Sequence, residues 1–180
     1  RHPGERVALA VNRHGDNRLF SADLEALPNE EALMKKRFLN AAAPSFGQLL
    51  AVQGNTEPNL RALKGRVVVL EFWATWCVPC RLTAPRLTDW SDRHTAEGLS
   101  VLGITTDPVP LAAEGARKAS MSYSVFSDDS GDTVRGYKAF ALPTLFVIDR
   151  RGVVRDIVVG YSSERLRQVD GLLKRLLAER

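Results

Sequence analysis

Cysteine is scarce in this chain. Of 180 residues only two are cysteines, Cys77 and Cys80. A single close pair excludes a disulfide scaffold and argues for redox chemistry, in an oxidising or an intracellular compartment alike. Histidine is nearly as rare, and His2, His14 and His94 are scattered. No apolar run approaches the ~20 residues that a membrane helix needs, so the chain as given is expected to be soluble. It begins at Arg1 rather than Met, which leads us to expect a removed signal peptide or an anchor upstream. There is no internal repeat, no low-complexity tract and no glycine-rich nucleotide fingerprint. Basic residues exceed acidic ones by only four. They are interleaved with Asp and Glu, without a basic cluster threaded by aromatics. They read as solvated faces, and no nucleic-acid partner is expected. The 44% hydrophobic and 26% charged content is that of a globular chain, and the length suits one domain plus an extension.

The chain is organised around residues 67–81. Val67-Val68-Val69-Leu70-Glu71-Phe72 is a short, β-branched apolar run and reads as a buried central strand. After Cys80 the apolar positions Leu82, Pro85, Leu87 and Trp90 follow helical spacing. The cysteines therefore sit where a strand hands over to a helix. The first N–H groups of a helix have no intrahelical partner and carry partial positive charge, so a thiolate there is stabilised. Cys77 is expected at or before the first turn with its sulfur able to face solvent. Cys80 lies one turn further in and is more shielded. The spacing suits a short disulfide loop, with Cys77 attacking and Cys80 resolving. Val78 and Pro79 set the turn, and proline is tolerated where the N–H is unpaired anyway. Two alternatives stand beside this: a pair of inert buried thiols, or half of a zinc site. A zinc site would need four ligands, drawn from the scattered histidines.

Upstream, Val7–Val11 and Arg18–Phe20 flank a turn at His14-Gly15-Asp16-Asn17, and a helix opens near Pro28-Asn29-Glu30-Glu31 and runs toward Ala41. Residues 1–42 thus read as a ββα extension, and 43–66 as a connector with a capped turn from Asn59 to Gly65. Downstream, we expect a strand at 99–105, a helix at 111–120, a short strand at 123–126 and a short helix at 133–140. A strand at 144–148, a return strand at 153–159 and a helix capped by Ser162 or Ser163 complete the chain. Asp128-Asp129-Ser130-Gly131-Asp132 resembles a cation loop without its full spacing and reads as a turn and helix cap. The pattern gives an α/β fold with a central mixed sheet flanked by helices.

Phe72-Trp73-Ala74-Thr75-Trp76-Cys77-Val78-Pro79-Cys80 closely resembles the active-site stretch of thioredoxin-fold oxidoreductases, most of all the TlpA/ResA branch. Ala43-Pro44-Ser45-Phe46 resembles the segment that opens many such domains, and the strand–helix–strand at 99–126 resembles the TlpA-like insertion. The resemblance covers residues 43–180 and implies a thioredoxin fold for that domain. It also implies that Pro143, in Ala141-Leu142-Pro143-Thr144, is cis and faces the cysteines. Leu142 would then offer its backbone to a client chain, beside Thr144, Trp76, Val78 and Pro79. An acid matching Glu71 lies under the active site in thioredoxins and exchanges a proton with the deeper cysteine, which implies the same role for Glu71 toward Cys80. The bland alternative is that Glu71 passes the strand edge to solvent. Many TlpA/ResA relatives lack an acid here, so Glu71 departs from that branch toward the thioredoxin pattern.

The expectation is a thiol–disulfide oxidoreductase that reduces protein disulfides through Cys77 and Cys80. The resemblance implies a periplasmic or extracytoplasmic reductase, with clients in cytochrome c or copper-protein maturation. No cofactor beyond the Cys77–Cys80 disulfide and no metal is expected. Disulfide- or thiol-containing clients and a separate electron-donor protein are the expected partners. The rivals are a dithiol oxidase or isomerase, since direction follows from reduction potential, and a non-catalytic binding module. A peroxidase is a weaker rival: the peroxiredoxin PxxxTxxC pattern is absent, because Thr75-Trp76-Cys77 lacks the upstream proline.

Overall fold

The computed structural model describes residues 2–179; Arg1 and Arg180, the outer ends of the two expected segments, lie outside them. The centre of the fold is set by alternation in β4 (Val67–Phe72), every residue of which is buried. Val67 and Val69, with Trp73 just beyond, enter one core cluster. Val68, Leu70 and Phe72 enter the other, on the opposite face. Side chains of a strand point alternately to its two faces, so a run with no polar position but Glu71 belongs in the middle of a sheet covered on both sides. Each such side chain contributes about 1.5–3 kcal/mol by leaving water.

β4 lies in a six-stranded mixed sheet. The other strands are β3 (Leu50–Gln53), β5 (Leu99–Thr105), β6 (Ser124–Ser127), β7 (Thr144–Ile148) and β8 (Val154–Val159), in the order β3-β6-β5-β4-β7-β8. β4, β5 and β6 run parallel, while β7 pairs antiparallel with both β4 and β8. One face is covered by α2 (Val78–His94), α3 (Val109–Lys118) and α5 (Ser163–Ala178), through Leu87, Trp90, Ala116, Leu166, Val169 and Leu173. The other is covered by α1 (Glu30–Phe38) and α4 (Asp132–Tyr137), through Met34, Phe38 and Tyr137. This is the expected α/β arrangement, and the strand, helix and short strand expected within 99–126 are present as β5, α3 and β6. No described helix is long and apolar enough to cross a membrane.

The upstream segment divides in two. β1 (Arg6–Arg13) and β2 (Asp16–Asp23) form their own antiparallel ribbon, closed at His14-Gly15. α1 instead joins the main domain. Phe38 packs edge-on against Phe146, and Lys35 pairs with Asp156 at 3.1 Å. Arg165 from α5 reaches the same Asp156 at 3.0 Å. That pairing accounts for a charge inside β8, and Arg155 is likewise paired with Asp149 at 2.9 Å.

β3 was not expected; its residues read as part of the connector. Leu50–Gln53 is short and half exposed, and it exists as an edge strand because β6 is there to pair with it. Gln53 fastens it further, its side chain donating to the carbonyls of Met121 and Tyr123 at 2.9 Å each. The loop at residues 128–132 serves as a turn and helix cap: Asp128 Oδ2 accepts from the Val134 N–H at 2.9 Å.

Candidate active site

β4 ends at Phe72, and the next four residues are pinned before α2 begins. The Trp73 N–H donates to the Ile104 carbonyl at 3.0 Å, continuing the pairing with β5. The Thr75 N–H donates to Asp107 Oδ2 at 2.7 Å, and the Cys77 N–H to the Ala74 carbonyl at 3.1 Å. Cys77 is then the N-cap of α2, with Pro79 in the first turn.

Cys77 and Cys80 form a disulfide, with their Cα atoms 5.3 Å apart. The Cys80 N–H points at Cys77 Sγ at 3.2 Å, so the sulfur occupies the capping position at the positive end of the helix. The expected exposure of Cys77 is corrected. The residue is 3% exposed and Cys80 1%, because the capping geometry turns the sulfur inward toward the first turn. The side chains that project are the neighbours, Trp76 at 71% and Val78 at 64%.

The Leu142–Pro143 bond is cis. Thr144 opens β7 opposite Phe72 at the end of β4, so the proline and the cysteine loop leave the same end of two adjacent strands. Among the described residues Leu142 enters no main-chain hydrogen bond, while the Pro143 carbonyl accepts from the Gly160 N–H at 2.7 Å. Thr144 turns its hydroxyl back to the Ala141 carbonyl at 2.7 Å.

Glu71 is fully buried, and the solvent-facing alternative is excluded. It shares a sheet face with Val69 and Trp73, beneath α2. Tyr123 Oη donates to its Oε2 at 2.9 Å, and Thr83 Oγ1 is in hydrogen-bond contact with its Oε1. Burial pushes the Glu71 carboxyl up to about 7, against the opposing pull of the Thr83 and Tyr123 hydroxyls. Burial, then the Glu71 charge, pushes the Tyr123 phenol well above its usual range. Among the described residues no group of metal-ligating side chains is assembled.

Three contributors went unnoticed in the sequence. Thr83 carried a signal, since it falls three residues after Cys80 and so on the same helix face. Asp107 and Tyr123 carried none, because only the β5–α3–β6 unit brings them to the site. Trp73, by contrast, is a packing residue. It is 3% exposed and has room only because two neighbours lack side chains. A Cβ on Gly115 would stand 3.2 Å from the indole and 2.5 Å from Thr75 Cγ2, and one on Gly103 3.1 Å from the indole nitrogen. Beside it a cleft of about 650 Å³ opens between α2 and α3, bordered by Trp76, Cys80, Arg81, Leu111 and Lys118.

A cysteine pair capping the helix that follows a central strand, on a mixed sheet with a cis-proline at the neighbouring strand, defines the class: a thioredoxin-fold protein of the thiol–disulfide oxidoreductase type. The chain belongs to the AhpC/TSA family, whose family model matches residues 39–157. It is similar to protein DipZ of Mycobacterium tuberculosis, at 32% identity over 117 residues, which are 62% of this chain. The match spans only 17% of DipZ. The thiol-disulfide oxidoreductase ResA of Geobacillus kaustophilus is 28% identical over 123 residues, covering 68% of this chain and 70% of ResA. A crystal structure of a thiol:disulfide interchange protein from Chlorobium tepidum aligns with a TM-score of 0.64 at 27% identity, over 76% of this chain and 96% of that one.

Proposed function

We propose that this protein reduces disulfides in client proteins, outside the cytoplasm, and is recharged by a separate dithiol protein. The observation that carries the reading is the Cys77–Cys80 disulfide at the N-terminus of α2, a position that favours sulfur as an anion and as a leaving group. In the reduced protein the Cys77 thiolate attacks one sulfur of a client disulfide. A Cys77–client disulfide forms, and the other client sulfur leaves as a thiolate. Glu71 takes the proton from the Cys80 thiol. The Cys80 thiolate then attacks Cys77 Sγ, which closes the internal disulfide and releases the second client thiolate. Two electrons pass from the protein dithiol to the client, and an external dithiol must return them.

Leu142 supports the reading of a client groove: its free main-chain groups suit a short antiparallel pairing with an extended segment. Trp76 and Val78 supply apolar walls, Pro79 holds the turn and Pro143 fixes the groove's far side. Thr144, expected beside the client, is fully buried and instead holds the turn at Pro143 through the Ala141 carbonyl. The extracytoplasmic location rests on the likeness to the TlpA/ResA branch, and maturation of cytochrome c or copper proteins is the client class that branch implies.

The test is trapping. Cys80→Ser should accumulate a mixed disulfide between Cys77 and a disulfide-bonded model protein, and Cys77→Ser should accumulate none. Equal trapping by both variants would overturn the assignment of roles. Disulfide-reducing activity surviving the double variant would overturn the function.

A further inference from the structure

The contacts of Thr83 impose a proton count. Its Oγ1 lies in hydrogen-bond contact with Glu71 Oε1 and, at 2.8 Å, with the Cys80 carbonyl oxygen. A threonine hydroxyl has one proton to give. With a carboxylate on one side and a carbonyl on the other, one of the two contacts would set lone pair against lone pair. Both are satisfied when Oε1 itself carries a proton. Glu71 then donates to Thr83, and Thr83 donates to the Cys80 carbonyl. Tyr123 donates to the remaining carboxyl oxygen at 2.9 Å. Three hydroxyl protons thus serve three contacts in one direction, ending on the main chain of the resolving cysteine.

We propose that Thr83 and Tyr123 are positioning residues for the proton transfer: their hydroxyls hold the Glu71 carboxyl, and Thr83 ties its protonation to the main chain at Cys80. The inference rests on the reading of Glu71 as the base of the resolving step, and names what governs that base. In the oxidised protein Glu71 holds the proton that Cys80 gave up when the disulfide closed, and the chain of donors is complete. In the reduced protein the base must be ionised. Thr83 then turns its proton to the carboxylate and leaves the Cys80 carbonyl, so the base and the first turn of α2 change together.

The surroundings of Glu71 isolate this relay. Its strand neighbours are Gly103 on β5 and Leu145 on β7, neither of which titrates. α2 contributes Thr83 and the cysteines, and the segment before β6 contributes Tyr123. Among the described residues no cation bonds the carboxyl; its two partners are hydroxyls. Tyr123 arrives on the β5–α3–β6 unit, which gives that unit a part in the chemistry.

The test reads the carboxyl directly. The infrared carbonyl stretch of a protonated carboxyl, identified by its loss in Glu71→Gln, is followed against pH in the oxidised full chain. Tyr123 donates to the carboxyl in either state and holds the ionised form more strongly, so Tyr123→Phe should raise the midpoint by about one pH unit or more. Thr83 accepts from the protonated carboxyl and donates to the ionised one, so Thr83→Val should move the midpoint less, and Thr83→Ser should restore it. The pH profile for resolution of a Cys77 mixed disulfide should move in parallel. A midpoint unmoved in Tyr123→Phe and Thr83→Val alike would reduce both hydroxyls to packing and overturn the proposal. So would a spectrum in which Glu71→Gln removes no protonated band at any pH. A band that shifts as expected in a protein that reduces no disulfide would sink the proposed function and leave the hydroxyl assignment standing.

Discussion

The Glu71 carboxyl and the Tyr123 hydroxyl, 52 residues apart in the chain, meet at 2.9 Å inside the core. The strand that leads to the cysteines therefore buries a titrating group whose partners come from two other elements. Burial raises its pKa from 4.5 to about 7, so between these values the folded state holds a proton that the unfolded state has lost. Stability is then fully present below pH 4.5 and declines as pH rises through about 7. The integrated loss is about 3 kcal/mol. Glu71→Gln keeps the shape without the titration. Its stability should be flatter over this window, and by pH 8 it should exceed the parent protein by up to about 3 kcal/mol. Urea unfolding of oxidised protein across the pH range measures this.

The cap at Cys77 predicts unequal thiols. In the reduced protein Cys77 stands at the positive end of α2 and Cys80 one turn inside it. Iodoacetamide should modify Cys77 first and at a lower pH, with Cys80 protected until the protein unfolds. Mass spectrometry after brief labelling separates the two sites, and equal rates would contradict the cap.

Asp107 holds the loop before the cysteines through the Thr75 N–H at 2.7 Å. A hydrogen bond to a charged group contributes about 1.5–3 kcal/mol, so Asp107→Ala should cost about 2 kcal/mol in unfolding free energy. It should also slow client exchange, because the loop that presents Cys77 loses its anchor. A variant that loses stability but exchanges at the parent rate would confine Asp107 to folding.

Gly115 predicts a reversal of helix propensity. In an exposed helix Gly→Ala gains up to about 1 kcal/mol. Here the added methyl would meet Thr75 Cγ2 at 2.5 Å and the Trp73 ring at 3.2 Å. Overpacking costs about 1–3 kcal/mol, so the gain should be cancelled or reversed, to a net destabilisation of up to about 2 kcal/mol. The reduction rate should fall with it, since Thr75 belongs to the active-site loop.

How much of this was legible follows from where each signal resides. The apolar run of Val67–Phe72 and the change of period after Cys80 are local, and each matched the structure to within a residue or two. So did the cis geometry at Pro143, which came from resemblance rather than from the residues. β3 was missed because four half-exposed residues have no pattern of their own, and only pairing with β6 makes them a strand. The burial of Glu71 was readable from its apolar neighbours. Its partners were not, since Tyr123 reaches it through the parallel crossover of β5, α3 and β6. The inward turn of Cys77 depends on cap geometry; the spacing alone led to the opposite expectation, a sulfur facing solvent.

The measurement that bears most directly on the central claim is the equilibrium reduction potential of the Cys77–Cys80 pair against glutathione. A reductase that passes electrons to clients should lie at or below about −200 mV, toward the thioredoxin end of the scale. A value near about −120 mV is that of a strong oxidant, and would contradict the assignment as a reductase while leaving the fold and the cysteine pair in place.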